Sequence, residues 1–107
     1  MLNKGTMKVV TKIYGGSFMR AVITVTGTDK VGIIAATSAE CAKYGVNIVD
    51  ISQTVMKEYF AMIMLVELSG LTTDFSAFAD EMKLAGDKLG VIINVMHEDI
   101  FNSMHKI

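Results

Sequence analysis

The sequence predicts an α+β sandwich in which one four-stranded antiparallel sheet carries two helices on one face. Three observations predict it. A β-branched run over residues 20–26 stops at Gly27, a polar loop Thr28-Asp29-Lys30 follows, and Gly32 opens a small-residue helix that ends at Gly45. Two β-rich segments, 47–56 and 59–68, are separated only by Lys57-Glu58, the form of an antiparallel hairpin. A second helical segment and a final strand over 91–96 complete the order β-α-β-β-α-β. Two right-handed crossovers in that order give the ferredoxin-like, split βαβ topology. Strands 20–26 and 59–68 are then central, and the other two are edges.

Each element has a local reason. The first helix, 32–44, has a polar stripe of Thr37, Glu40 and Lys43 among small and apolar residues. Gly45 suits the left-handed position just past a helix end. Ser69 to Thr73 is a loop, and Asp74 or a neighbouring threonine caps the second helix. In that helix Phe75, Phe78, Ala79, Met82, Ala85, Gly86 and Leu89 share one face, with Asp80, Glu81, Lys83, Asp87 and Lys88 on the other. Gly90 breaks it, and residues 101–107 form a short terminal turn or helix. The 59–68 strand is apolar on both faces, with Ala61, Ile63 and Leu65 on one and Phe60, Met62, Met64 and Val66 on the other. Two helices cover one face, so the second is expected to meet a partner, the N-terminal extension or the C-terminal tail.

Bulk properties restrict the function. The 107 residues make one domain, 51% apolar and 20% charged, which is rich in apolar residues for so small a body and favours a partner copy. A net charge of −1 gives no field to attract nucleic acid or an anionic membrane. No apolar run has the length of a membrane span and no signal peptide is evident, so the expected compartment is the cytoplasm. Cys41, the single cysteine, reads as a buried structural thiol. Residues 1–18 are an N-terminal extension: Lys8 to Tyr14 has the composition of an extra strand and Gly15-Gly16 of a turn. The two glycine codons begin GG and precede the Met19 codon by two codons, the spacing of a ribosome-binding site. Met19 is therefore the expected natural start and residues 1–18 an over-read.

Most familiar chemistries are unsupported. GTDKVG is followed by Ile33-Ile34 rather than by Lys and Ser/Thr, so it is not a phosphate-binding P-loop, and it is not GxGxxG. His97-Glu98-Asp99 reads as a solvated strand end rather than a metal site, since His105 is eight residues away and no cysteine pair is present. No nucleophile–base set is apparent, so no catalytic residue, cofactor or metal is assigned and an enzyme is not expected. Arg20, the sole arginine, stands before the first strand, away from any loop that would cradle an acyl phosphate. The first central strand lacks the aromatics of an RNA-binding sheet.

The first strand–helix junction remains. A helix start leaves backbone N–H groups free and carries the positive dipole end, which suits a carboxylate. Asp29 and Lys30 offer one charge of each sign, Gly32 lets a backbone approach, and the N–H groups of Ile33 and Ile34 are presented. Asn47, opening the second strand, stands near the far end of the first helix in one copy. An amino acid places its carboxylate on the helix N–H groups and its ammonium on Asp29 or an Asn oxygen. Capping by Asp29, tight packing at Gly32 and a turn held by Asn47 explain the same residues without a ligand.

TGTDKVGIIA followed by GVNIVDISQT resembles the ACT domain, the small amino-acid-sensing regulatory module. The resemblance covers residues 19–107 and is closest to stand-alone bacterial ACT proteins similar to the glycine-cleavage repressor and UPF0237 type, whose tail IFNSMHKI is also similar. It implies the fold already derived, pairing of two copies, often edge to edge into one eight-stranded sheet, and amino acids bound at the interface. Carried over by position, the ligand-binding residues are Asp29, Lys30, Gly32 and Ile33, with Asn47 and Ile48 contributed across the interface. Val31 departs from the proline of many members, which would preset the first helical turn.

The expected function is therefore a non-enzymatic, cytoplasmic, homodimeric or higher-order regulatory domain. It binds a small amino acid and reports it allosterically to a regulated enzyme or regulator protein. Gly32→Val or Asn47→Ala is expected to abolish binding while the fold survives. The alternative is a ligand-free interaction module whose apolar sheet face docks a protein, with Met62→Glu or Met64→Glu expected to release the partner.

Overall fold

The computed structural model describes residues 19–28 and 31–104. The expectations for residues 1–18, the strand at 8–14 and the start at Met19, lie outside the described residues, as do Asp29, Lys30 and residues 105–107. The elements are β1 (Arg20–Thr28), α1 (Ile33–Lys43), β2 (Asn47–Met56), β3 (Tyr59–Glu67), α2 (Phe75–Leu89), β4 (Ile92–His97) and α3 (Glu98–Met104). The sheet order is β2-β3-β1-β4, and every pairing is antiparallel. This is the expected ferredoxin-like sandwich, with β1 and β3 central. A third short helix follows β4 at once, beginning at Glu98 rather than at Phe101.

Register sorts the side chains into two faces. Ala21, Ile23 and Val25 of β1 stand beside Val66, Met64 and Met62 of β3. With Phe78 and Met82 of α2 and Ile33 and Cys41 of α1 they form the buried core. Asp74 caps α2 by accepting a 2.7 Å hydrogen bond from the Ala77 N–H. Phe78 meets Tyr44 edge to face at 5.9 Å, locking α2 onto the end of α1.

Two expectations need correction. Thr37 is not part of a solvated stripe: it is fully buried, between Ile33 and Cys41 on the sheet-facing side of α1. Its hydroxyl donates to the Ile33 carbonyl at 2.7 Å, which satisfies the buried group within the helix. Met62 and Met64 point into the helix-covered core and cannot dock a partner. The outward positions of β3 are Tyr59, Ala61, Ile63 and Leu65. Composition could not choose between the faces, because both are apolar; the position of the helices decides.

The C-terminal end of the sheet is pinned by charge. Arg20 donates from Nε and Nη2 to the two carboxylate oxygens of Glu98, at 2.9 and 2.8 Å. This bidentate pair joins the start of β1 to the start of α3, and the Glu98 hydrogen bond raises the guanidinium pKa further. Beside it, the half-buried His97 ring stacks on Phe75 at 4.0 Å. Among the described residues no three His, Cys, Asp or Glu side chains gather to hold a metal ion.

Burial pushes the Cys41 thiol up to about 11, with the Glu40 carboxylate adding to the shift. The folded chain therefore keeps the proton, while the unfolded chain loses it from about pH 8.5. Above that value the unfolded state binds fewer protons, so stability falls as pH rises through the window between the two values. The thiol contribution is expected to reach about 3 kcal/mol at the top of the window. Urea midpoints compared across this range for the chain and for Cys41→Ala check it; equal pH slopes would refute it.

Candidate functional site

The β1–α1 junction is built as an open helix start. Gly32 is the N-cap of α1 at φ +88°, and among the described residues no side chain caps the helix. The first helical hydrogen bond runs from the Ala36 N–H to the Gly32 carbonyl at 2.9 Å. The N–H groups of Ile33, Ile34 and Ala35 thus precede the intrahelical ladder and have no carbonyl within the helix to bond. A Cβ built on Gly32 meets nothing within 4 Å, so glycine serves the backbone angle here rather than close packing. Val31 beside it is fully exposed.

A groove of about 500 Å³ opens along this helix start, lined by Gly32, Ile33, Ile34, Ala35, Gln53, Val55 and Phe60. The geometry follows from the register. Gln53 and Val55 of β2 pair with Met62 and Phe60, so they face the helix layer. As β2 is an edge strand, the helices leave these residues exposed. Ile33 itself is buried, so it anchors the helix while its backbone faces the groove. Ile34, at 38% exposure, forms an apolar wall. Gln53 brings a neutral amide with both a donor and an acceptor.

Of the residues expected at the site, the structure brings Gly32, Ile33 and Ile34 together. Asp29 and Lys30 belong to the same loop but lie outside the described residues. Asn47 and Ile48 stand elsewhere. They pair with Glu67 and Val66 at the Arg20 end of the sheet, whereas the groove adjoins the Thr28–Tyr59 end. The eight steps of β1 separate these ends by roughly 25 Å. Gln53, Val55 and Phe60 escaped the sequence reading. Their signal was the alternation along an edge strand, which becomes interpretable only once the pairing with β3 is fixed.

The position of Asn47 is itself tightly set. Gly45, at φ +75°, donates its N–H to the Ala42 carbonyl and turns the chain out of α1. The Thr72 N–H donates to the Tyr44 carbonyl at 3.0 Å, clamping this turn to the β3–α2 loop. A bulge between Ile48 and Asp50 then adjusts the register of β2.

The fold is a small α+β sandwich with an open helix start beside the β2 edge, and comparison with known proteins gives its family. A family model described as ACT domain matches residues 19–96, and the chain belongs to the ACT domain family, whose members are regulatory ligand-binding domains. It is 52% identical over 89 residues to a UPF0237 protein of Clostridium acetobutylicum, covering 83% of this chain and 100% of that one. It is 49% identical over 88 residues to a UPF0237 protein of Methanocaldococcus jannaschii, covering 82% and 98%. The solved ACT domain protein from Streptococcus pneumoniae matches with a TM-score of 0.69 at 44% identity, over 78% of this chain and 93% of that one. A putative glycine cleavage system transcriptional repressor matches at TM-score 0.62 and 23% identity, over 75% of this chain and 46% of that one, a likeness of fold. No described helix is long and apolar enough to cross a membrane.

Proposed function

We propose that this chain is a cytoplasmic, non-enzymatic sensor that binds a small amino acid between two copies paired along β2. The carrying observation is the separation just described: an open helix start at one end of the sheet and Asn47 at the other. Antiparallel pairing of two copies about a two-fold near the middle of β2 reverses that separation. It sets the Asn47–Ile48 end of one copy beside the Val55–Met56 end, and hence the groove, of the other. The free edge of β2 supports such pairing: it is ten residues long, carries no proline or lysine, and presents unpaired backbone groups.

In this reading the ligand carboxylate lies on the N–H groups of Ile33, Ile34 and Ala35, where the helix dipole favours an anion. Asp29 and the Asn47 amide oxygen of the second copy accept from the ammonium end, and Lys30 adds its positive charge on the carboxylate side. Gln53, Ile34 and Val55 meet the side chain. A ligand that bridges two copies favours the paired geometry by its differential affinity for it, and the regulated enzyme or regulator protein reads that geometry.

Thermal unfolding against the twenty amino acids tests this. At 100 times the dissociation constant a ligand adds about 2.7 kcal/mol, which moves a domain of this size by several degrees. A selective shift that Gly32→Val removes is the expected result. No shift across the panel would leave the ligand-free interaction module, which draws on the exposed apolar side chains Ile63 and Ile92 of the outer sheet face.

A further inference from the structure

The face of the sheet away from α1 and α2 mixes hydroxyls with exposed large apolar side chains. Its rows, read across β4, β1, β3 and β2, are Asn94–Thr24–Ile63–Ser52 and Ile92–Thr26–Ala61–Thr54. Thr28, Tyr59 and Met56 continue it. No charged side chain stands in these rows. The next row toward the Arg20 end, Met96–Val22–Leu65–Asp50, holds the already buried Val22 and brings in one charge, Asp50 on the edge strand; beyond it stand Glu67 and Arg20, the latter paired with Glu98. Met56, Tyr59, Ile63 and Ile92 are all exposed large apolar side chains. A solvated antiparallel face normally carries charged residues among its polar ones; here the polar positions are hydroxyls and one amide, set among four exposed large apolar side chains.

We infer that this outer face is the seat of a second copy of the same chain, packed sheet on sheet. Area and shape support a self-pairing. Four strands about 4.8 Å apart, over five to seven residues of about 3.4 Å each, give roughly 300–450 Å² in projection on each copy. Two such rough faces together approach the ~1,000 Å² that a specific interface needs. The face also carries a hollow of about 280 Å³, lined chiefly by Thr26, Thr54, Met56, Tyr59 and Ala61. Its raised counterpart, Ile92, lies in the Thr26–Thr54 row but on the opposite edge strand. A two-fold parallel to the strands lays β4 of one copy over β2 of the other, and so sets each Ile92 over the hollow of its partner. The modest angle between stacked sheets preserves that match. The polar members of the rows are hydroxyls and one amide, which can hydrogen-bond within a neutral interface. This contact uses neither the β2 edge nor the groove, so it adds to the edge pairing proposed above and stands independently of it.

The test is the mass of the full chain by sedimentation or light scattering, with Ile92→Lys and Ile63→Lys as variants at exposed positions that do not line the groove. Each is expected to halve the mass while the circular dichroism spectrum stays unchanged. A second measurement fixes the geometry. Facing sheets stand about 10 Å apart, so Thr54→Cys with Ile92→Cys is expected to give a covalent dimer with a short bismaleimide cross-linker, and neither single variant is. Within one chain these positions are three strand spacings apart, about 14 Å, and a link inside one chain does not double the mass, so a dimer band reports on two copies. An unchanged mass in both lysine variants overturns the inference, as does a mass that responds only after residues 1–18 are removed, or failure of the double variant to cross-link.

Discussion

Met64→Glu unfolds the domain, whereas Ile63→Glu, one residue earlier on the same strand, leaves it folded. Met64 is fully buried, between Ile23 of β1 and Ile51 of β2 and under the helices. A carboxylate there has no cation to meet and loses its hydration, a cost of several kcal/mol that is comparable with the whole stability of a small domain. Ile63 is 45% exposed on the outer face, where a carboxylate keeps its water. Urea unfolding followed by circular dichroism reads both. A folded Met64→Glu with an unfolded Ile63→Glu would mean that β3 is slipped by one residue, since such a slip exchanges the faces.

Gly45→Ala is expected to destabilise by about 2–4 kcal/mol, and Gly32→Ala by only about 1 kcal/mol. Both glycines have positive φ, so a side chain strains the backbone at either. At Gly45 a Cβ also collides with the Gly70 carbonyl oxygen, a backbone atom that cannot turn aside. At Gly32 it meets open space. For a chain of this size the Gly45 variant should melt roughly 10–20 °C lower. The Gly45 turn also delivers Asn47 to the start of β2, so the variant should weaken ligand stabilisation beyond its effect on the fold. Equal losses at the two positions would contradict the packing of the α1–β2 turn against the 69–72 loop.

The fold was legible because its signals are local and mutually consistent. Gly45 and Gly90 end helices at left-handed positions, Asp74 caps α2, and Lys57-Glu58 leaves room only for a hairpin. What was not legible depended on which face meets which layer. Thr37 reads as surface by type, yet the Ile33–Thr37–Cys41 spacing turns it inward, and its hydroxyl bonds within the helix. Met62 and Met64 cannot be told from Ile63 and Leu65 by hydropathy; only the position of the helices separates them. At the candidate site the helix start was readable from Gly32 and its loop. Gln53 and Val55 were not, because they reach the groove through the pairing of β2 with β3 rather than through nearness in sequence.

The central claim is that two copies complete one another's site, and mixing two inactive variants tests it most directly. Gly32→Val damages the groove and Asn47→Ala the residue that closes it, so each variant alone should show no thermal shift with the amino acid that stabilises the unaltered chain. Unfolded and refolded together in equal amounts, they form mixed dimers in which one site takes its groove from the Asn47→Ala copy and its Asn47 from the Gly32→Val copy. That site is intact, so the mixture should recover binding at roughly a quarter of the original sites. If the mixture binds no more ligand than the separate variants, the site is not shared between copies and the account fails.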